Sequence, residues 1–281
     1  MPFKKNMILS LFILSVSAEK QYSNPGDILK AIGPAHYAGA AYCFSSYTAS
    51  WNCGVHCKAK ETIGTVLHTN VDNEVAGIFG TISYNPSYSL ITVAFRGSLN
   101  VQNFLSNYIA FPVPISAIAP GKGFALAHSS FLADYLSVQS SVRQALRELT
   151  SKFPNYKIQF TGHSLGGPLS QLAAVDAYYS LNIRNIEQFS FNSPRVGNQA
   201  YVNLLQFPIY RYTQGPDIIS REPPTGIGFM HPMVPEYWEN NNVWYTCDAH
   251  ESPDCNNSVL LPYFSLLVHL KSGSIIFQPV C

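Results

Sequence analysis

The sequence has few charged residues and no block of charge of one sign. Only 12% of its 281 residues are charged, and the formal net charge is +1. Such a chain has no long-range field that would collect a nucleic acid or an anionic membrane surface. We therefore expect no nucleic-acid partner.

Long apolar runs are also missing, since no stretch approaches the roughly 20 consecutive apolar residues of a membrane-spanning helix. The apolar segment 7–16 follows Lys4 and Lys5 and ends in Val16-Ser17-Ala18. This pattern is typical of a secretory signal peptide. We predict a signal peptide over residues 1–18, a secreted, extracellular protein and no transmembrane segment. An uncleaved N-terminal anchor is the alternative.

The spacing of a metal site is absent as well. Cys53-Gly54-Val55-His56-Cys57 could supply ligands, but no second cysteine or histidine pair stands at metal-site spacing. An even number of cysteines in an exported chain instead favours disulfides. The residues alone leave the pairing open among the six, which all follow the predicted cleavage point: Cys43, Cys53, Cys57, Cys247, Cys255 and Cys281.

The chain shows no internal repeat, low-complexity tract or composition shift, and 47% of its residues are hydrophobic. This amount of apolar residue can fill one substantial core. We predict a single domain over residues 19–281, and a monomer.

The pattern of apolar residues predicts the elements of this domain. Two β-branched and aromatic runs, 75–82 and 88–95, flank Asn85-Pro86-Ser87 and indicate a hairpin. Helical spacing over 138–153 ends at Pro154. Strands at 156–161, 186–191 and 209–213 then alternate with helices at 165–181 and 199–205. This order predicts an α/β fold with a mostly parallel central sheet, an antiparallel N-terminal hairpin and flanking helices.

The segment Gly162-His163-Ser164-Leu165-Gly166 fits the G-x-S-x-G motif of a sharp strand-to-helix turn. The glycines are needed because side chains there would clash, and the turn pushes the serine out at its apex. A structural turn is the alternative, but the strand before and the helix after favour Ser164 as a nucleophile. We expect the adjacent His163 to have a packing role and not to act as the base.

A serine nucleophile needs a base and a carboxylate, which follow it in the chain order of this fold. Asp217 comes soon after the strand 209–213 and is favoured, with Glu222 as its rival. His269 follows an apolar run that would anchor it to the core, whereas His231 and His250 have less to position them. The residues alone leave these alternatives open.

Several segments resemble the secreted fungal-type class 3 lipases, from about Cys43 to Cys281. The resemblance implies an α/β-hydrolase with Ser164 as nucleophile, Asp217 as orienting acid and His269 as base, and no cofactor. It also implies an oxyanion hole from Ser98 and the amide of Leu165. The segments that carry it are Phe95-Arg96-Gly97-Ser98, Thr161–Gly167, Ser193–Asn198, Asp217-Ile218, Glu236-Tyr237-Trp238 and His269-Leu270.

The resemblance further implies three disulfides, Cys43 with Cys281, Cys53 with Cys57, and Cys247 with Cys255. It also gives a role to the amphipathic segment that follows Ser98. By resemblance this segment is a lid over the serine, and a helix packed permanently on the core is the alternative. Its apolar face contains Val101, Phe104, Leu105 and Tyr108.

Together these features predict a serine lipase that hydrolyses acylglycerol esters at a lipid–water interface through an acyl-enzyme. The alternatives are a feruloyl-type or general carboxylesterase, and a non-catalytic lipid-binding relative. Asn256-Asn257-Ser258 is an acceptor sequence for N-glycosylation at Asn256.

Overall fold

The computed structural model of the protein describes residues 20–100, 111–260, 265–279 and 281. The predicted signal peptide, residues 1–18, and the predicted lid residues Val101, Phe104 and Leu105 lie outside these ranges.

The strands of the described residues are β1 (Gln21–Tyr22), β2 (Val66–Asn73), β3 (Ile78–Asn85), β4 (Leu90–Phe95), β5 (Pro112–Pro114), β6 (Leu126–His128), β7 (Lys157–His163), β8 (Ile186–Phe191), β9 (Ile209–Gln214), β10 (Glu236–Asn240), β11 (Val243–Cys247), β12 (Lys271–Ser272) and β13 (Ile275–Ile276). Nine of these strands form one central sheet in the order β1-β11-β10-β9-β8-β7-β4-β3-β2. Strands β5 with β6 and β12 with β13 form two small antiparallel pairs.

The middle of the sheet, from β4 through β7, β8 and β9 to β10, is parallel. Both edges are antiparallel, through the β2–β3–β4 meander on one side and β10–β11–β1 on the other. The predicted mostly parallel sheet with an N-terminal hairpin is therefore confirmed. Because parallel strands end at one edge, loops after β4, β7 and β9 meet there.

Among the described residues, six α-helices and four short 3₁₀ helices accompany this sheet. The 3₁₀ segments span Ile219–Arg221, Thr225–Ile227, Asn256–Ser258 and Val268–Leu270. The α-helices are α1 (Pro25–Ala40), α2 (Ser45–Ala49), α3 (Gly54–Lys58), α4 (Ser129–Lys152), α5 (Gly166–Tyr179) and α6 (Gln199–Val202).

Helices lie on both faces of the sheet and bury two main apolar clusters. Helices α4 and α5 pack on one face, where Leu146 and Leu169 join Val93 and Phe160 in the larger cluster. Helix α1 packs on the other face, where Ala38 joins a second cluster that includes Phe191. The N-terminus of helix α1 is stabilised because Asn24 caps it and Pro25 occupies its first position.

The sequence-based boundaries were wrong at several elements. The first hairpin strand begins at Ile78, not at residue 75, because Asn73 Oδ1 accepts from Ala76 N–H and Gly77 adopts a φ of 70°. These features form a turn, which apolar composition alone did not reveal. The helix predicted over 199–205 ends at Val202. Strands β2, β10 and β11 were not predicted.

Candidate active site

Ser164 lies at the turn between β7 and α5 with a φ of 55°, a left-handed conformation that non-glycine residues rarely adopt. Its backbone N–H donates to the carbonyl of Phe191 on the neighbouring strand (3.0 Å). A Cβ atom on Gly162 would overlap the carbonyl oxygen of Gly166. The two glycines therefore permit the tight turn that the motif predicted.

The loop after β4 packs directly against this serine. A Cβ atom on Gly97 would stand 2.6 Å from Ser164 Cβ, and one on Gly166 would overlap the carbonyl of Phe95. Only backbone without a side chain fits at these contacts, so the chain passes close to Ser164 just before Ser98. This proximity is what an oxyanion hole from Ser98 and the Leu165 amide requires.

Asp217 and His269 form a fully buried pair beside the turn. His269 Nδ1 is 3.0 Å from each carboxylate oxygen of Asp217, and neither residue is exposed to solvent. Because a carboxylate only accepts hydrogen bonds, Nδ1 carries the hydrogen and Nε2 is left with a lone pair. Such a tautomer suits a general base.

The two atoms that would exchange a proton are both unengaged. Within the described part of the chain, Ser164 Oγ and His269 Nε2 are buried and have no hydrogen-bond partner. The His163 and His269 ring centroids lie 4.7 Å apart, which places the His269 ring next to the residue that precedes Ser164 in the chain. The hydrogen bond between serine and base is therefore not formed here, as is common in free enzymes.

The Asp217 carboxylate is held by its own loop. Ile219 N–H donates to Oδ1 (3.0 Å) and Ser220 Oγ donates to Oδ2 (3.1 Å). These bonds orient the carboxylate, so that both of its oxygens face the His269 ring. The Asp-x-x-Ser spacing is a local signal of this arrangement that the sequence reasoning missed.

Asn256 lies in the interior, where it fastens the same loop. Its Nδ2 donates to the carbonyls of Gly215 (3.1 Å) and Asp217 (3.2 Å), and the residue is 2% exposed. Trp238 Nε1 donates to Gly215 as well (2.9 Å). N-glycosylation modifies this Asn nitrogen, so the structure argues against the glycosylation that the acceptor sequence suggested.

The rival histidine rings are bonded to backbone carbonyls instead of to the Asp217 carboxylate. His231 is buried and its Nε2–H donates to the carbonyl of Ser220 (2.7 Å), while His250 Nε2 contacts the carbonyl of His231 (2.8 Å). Burial, together with the charges of Arg211 and Arg195, holds the pKa of His231 well below its ordinary value. Both rings thus have structural partners.

Glu222 follows the 3₁₀ segment Ile219–Arg221, and its backbone N–H donates to the carbonyl of Ile219 (3.1 Å). Burial raises the pKa of its carboxyl. Asp217 is therefore the carboxylate that the fold brings to His269.

All three disulfides implied by the resemblance are present: Cys43–Cys281, Cys53–Cys57 and Cys247–Cys255. In the described ranges, no group of three or more His, Cys, Asp or Glu side chains could hold a metal ion. No helix within those ranges is long and apolar enough to cross a bilayer.

A serine on a strained strand-to-helix turn and a buried Asp–His pair at the carboxyl edge of a mostly parallel sheet are the arrangement typical of the α/β-hydrolase fold. Residues 92–226 match the family model "Lipase (class 3)". The chain is 30% identical over 241 residues to secreted mono- and diacylglycerol lipase 1 of Fusarium solani, covering 80% of this chain and 70% of that protein. It belongs to the class 3 lipase family.

Two further comparisons agree. A lipase of Rhizomucor miehei is 30% identical over 233 residues, which cover 79% of this chain and 62% of that protein. This chain thus spans less than two thirds of that relative's length. The solved structure of lipase II from Rhizopus niveus superposes with a TM-score of 0.84 at 27% identity, covering 94% of this chain and 100% of that one.

Proposed function

We propose that this protein is a serine lipase that hydrolyses the carboxylic esters of acylglycerols through an acyl-enzyme. The observation that carries the proposal is the buried Asp217–His269 pair, whose Nε2 has no hydrogen-bond partner and whose ring packs against His163, the residue before Ser164. The relatives' names, lipase and mono- and diacylglycerol lipase, support acylglycerols as the substrate class.

In this mechanism Ser164 Oγ attacks the ester carbonyl while His269 Nε2 takes its proton. Asp217 stabilises the imidazolium that forms, and the Ser98 and Leu165 amides hold the oxyanion. The imidazolium then gives its proton to the departing alcohol. A water molecule, activated by the same base, releases the fatty acid and restores the serine.

Exposed apolar side chains next to the site residues support a lipid substrate. Leu99, 64% exposed, directly follows Ser98, and Leu267, 84% exposed, stands two residues before His269. Phe111 is also exposed and follows the predicted lid segment. Apolar residues clustered around a site are typical of surfaces that meet an apolar partner. We propose that this rim contacts the lipid–water interface and that the predicted lid covers it in water.

The three disulfides support an oxidising environment, and therefore export, as the place where the chain works. They agree with the proposed signal peptide over residues 1–18.

The test compares the purified protein with Ser164→Ala on tributyrin droplets and on a soluble p-nitrophenyl ester. We expect a sharp rise in rate when tributyrin exceeds its solubility limit, and no turnover by Ser164→Ala. Activity confined to the soluble ester would support an esterase instead. Reaction with a fluorophosphonate probe reports the nucleophile directly, and a protein that never reacts would support a lipid-binding role.

Ser170→Ala is the matched control, since Ser170 is a buried serine on helix α5 whose hydroxyl donates to the carbonyl of Gly167 (2.7 Å). This variant should keep both fluorophosphonate labelling and turnover. If it lost both as Ser164→Ala does, the loss would reflect misfolding and the assignment of the nucleophile would fail.

A further inference from the structure

A buried chain of hydrogen bonds connects three parts of the active site through Tyr42 and His163. Gly97 N–H donates to Tyr42 Oη (2.9 Å), and Tyr42 Oη is 2.6 Å from His163 Nδ1. His163 Nε2 is 2.6 Å from the carbonyl oxygen of His269. The chain thus runs from the loop before Ser98, through the residue beside the nucleophile, to the backbone of the base.

The direction of these bonds follows from the donors and acceptors available. A carbonyl only accepts, so His163 Nε2 carries the hydrogen and donates to His269. In the neutral ring Nδ1 then accepts, and Tyr42 O–H donates to it while its oxygen accepts from Gly97. Each polar atom of the chain is satisfied in only this arrangement.

His163 must also remain neutral for the site to work. Burial, and the neighbouring His269, hold the pKa of His163 well below its ordinary value. A positive charge on His163 would oppose the imidazolium that forms on His269, whose ring centroid is 4.7 Å away.

Other contacts fix this pair in place. The His163 ring stacks on Phe277 with centroids 4.1 Å apart and an interplanar angle of 11°. Asn192 Nδ2 is a second donor to the His269 carbonyl (2.8 Å). Tyr42 directly precedes Cys43, which is bonded to Cys281 a few residues after Phe277, so this disulfide joins the segment of Tyr42 to the segment whose ring stacks on His163.

From these contacts we infer that Tyr42 and His163 are a positioning pair for catalysis. They hold the Gly97-Ser98 loop and the backbone of His269 in register with Ser164, and neither is hydrogen-bonded to Ser164 Oγ or His269 Nε2. This role rests on the proposed ester hydrolysis. It requires that loss of the Tyr42 hydroxyl lowers turnover at each folded site, and not only the stability of the protein.

The test is the steady-state hydrolysis of a soluble p-nitrophenyl ester by Tyr42→Phe, with the concentration of active sites titrated by a fluorophosphonate. Misplacing reacting groups by about 1 Å can cost on the order of 100-fold in rate. We expect kcat for each titrated site to fall about 10-fold to 100-fold, with KM changed less than about threefold.

Tyr37→Phe is the matched control. Tyr37 lies on helix α1, shortly before Tyr42 in the chain, is likewise buried, and its hydroxyl bonds to Thr65 Oγ1 (2.7 Å) away from the site. This change should lower the melting temperature by a similar amount and leave kcat unaltered. Equal kcat values for Tyr42→Phe, Tyr37→Phe and wild type would overturn the inference.

Two variants at His163 separate the two hydrogen bonds that its ring makes. His163→Gln can retain a donor to the His269 carbonyl but not the geometry of the acceptor for Tyr42, whereas His163→Phe keeps only the ring that stacks on Phe277. We expect kcat to decrease in the order wild type, His163→Gln, His163→Phe.

Combining Tyr42→Phe with His163→Phe should lower kcat little further than His163→Phe alone, because the two residues act as one unit. Independent, multiplicative effects would contradict a pair. A wild-type protein inactive on every ester would instead contradict the proposed function. Failure of the positioning pair and failure of the proposed function can therefore be distinguished.

Discussion

Acid should destabilise this fold strongly, because its interior keeps several histidines neutral. Burial lowers the pKa of two of them to about 4, and that of two others well below its ordinary value. The unfolded chain takes up these protons near pH 6.5, whereas the folded chain does not until its lower pKa is reached. The stability contributed is therefore present above about pH 6.5 and lost as the pH falls. The residues are His56, His128, His163 and His231.

The size of the effect follows from the pKa values. A fall in pKa from 6.5 to about 4, at about 1.36 kcal/mol for each pH unit, amounts to up to about 3 kcal/mol for each of His56 and His128. Four such histidines give a limiting slope of about 5 kcal/mol per pH unit. Burial raises the pKa of Asp134 to about 6 and also raises the pKa of Glu222. These carboxyls take up protons in the folded state as the pH falls, and they offset part of the destabilisation caused by the histidines.

We therefore expect the free energy of unfolding to fall by about 3 kcal/mol between pH 6 and pH 5. This loss is a large part of the roughly 5–15 kcal/mol that stabilises a typical domain. Urea titrations followed by tryptophan fluorescence at pH 7, 6, 5.5 and 5 measure it. A free energy that changes by less than about 1 kcal/mol over this range would refute the reasoning.

A variant assigns the effect to one side chain. His56 is 1% exposed, and His56→Gln removes its proton uptake, so the slope should decrease by about 1.36 kcal/mol per pH unit even though the variant is less stable at pH 7. His68→Gln removes a histidine at the surface, where it pairs with Glu148 (2.9 Å), and controls for the loss of an imidazole as such. Equal slopes in His56→Gln and wild type would show that His56 is not responsible.

Three further predictions concern the turn at Ser164, the Cys43–Cys281 disulfide and the oxyanion hole. Gly162→Ala should abolish activity, since the Cβ of the new alanine would overlap the Gly166 carbonyl. A Gly162→Ala variant with a normal melting temperature and normal turnover would disprove the need for this close approach. Replacing Cys43 and Cys281 together by Ser should lower the free energy of unfolding by about 5 kcal/mol in the chain-entropy model, because the disulfide joins residues 238 apart. Urea titration measures this free energy, and a decrease of less than about 1 kcal/mol would contradict the prediction. Ser98→Ala should lower kcat by about 10²-fold to 10³-fold if its hydroxyl holds the oxyanion, whereas unchanged kcat would leave that role to backbone amides alone.

Features that depend on neighbours in the chain were predicted from the sequence. The turn at Ser164 needs its glycines within two residues on either side, so the motif is contiguous and its mechanical meaning can be read directly. The repeat of Val138, Val142 and Leu146 likewise predicted the buried face of helix α4. The same locality explains the missed start of β3, where apolar composition extended into a turn that Asn73 fixes by a side-chain bond.

The resemblance to a family supplied what the residues alone left open, such as the disulfide pairing and the choice of His269. From the chain itself, His231, His250 and His269 all followed Asp217, and only the apolar run before His269 favoured it over the other two. Only the folded chain shows that His231 donates to a backbone carbonyl, while His269 faces the carboxylate.

The sequence by itself determined the class of the fold and the candidate nucleophile, because hydrophobic periodicity and the steric demands of a turn act over a few residues. The tertiary structure alone decided the hydrogen-bond partners of His269, Tyr42 and Asn256. Tyr42 is 121 residues from His163, and Asn256 is 39 residues from Asp217. Contacts between such distant positions arise when the sheet and its helices pack, and a buried polar group then takes whichever partner that packing brings within reach.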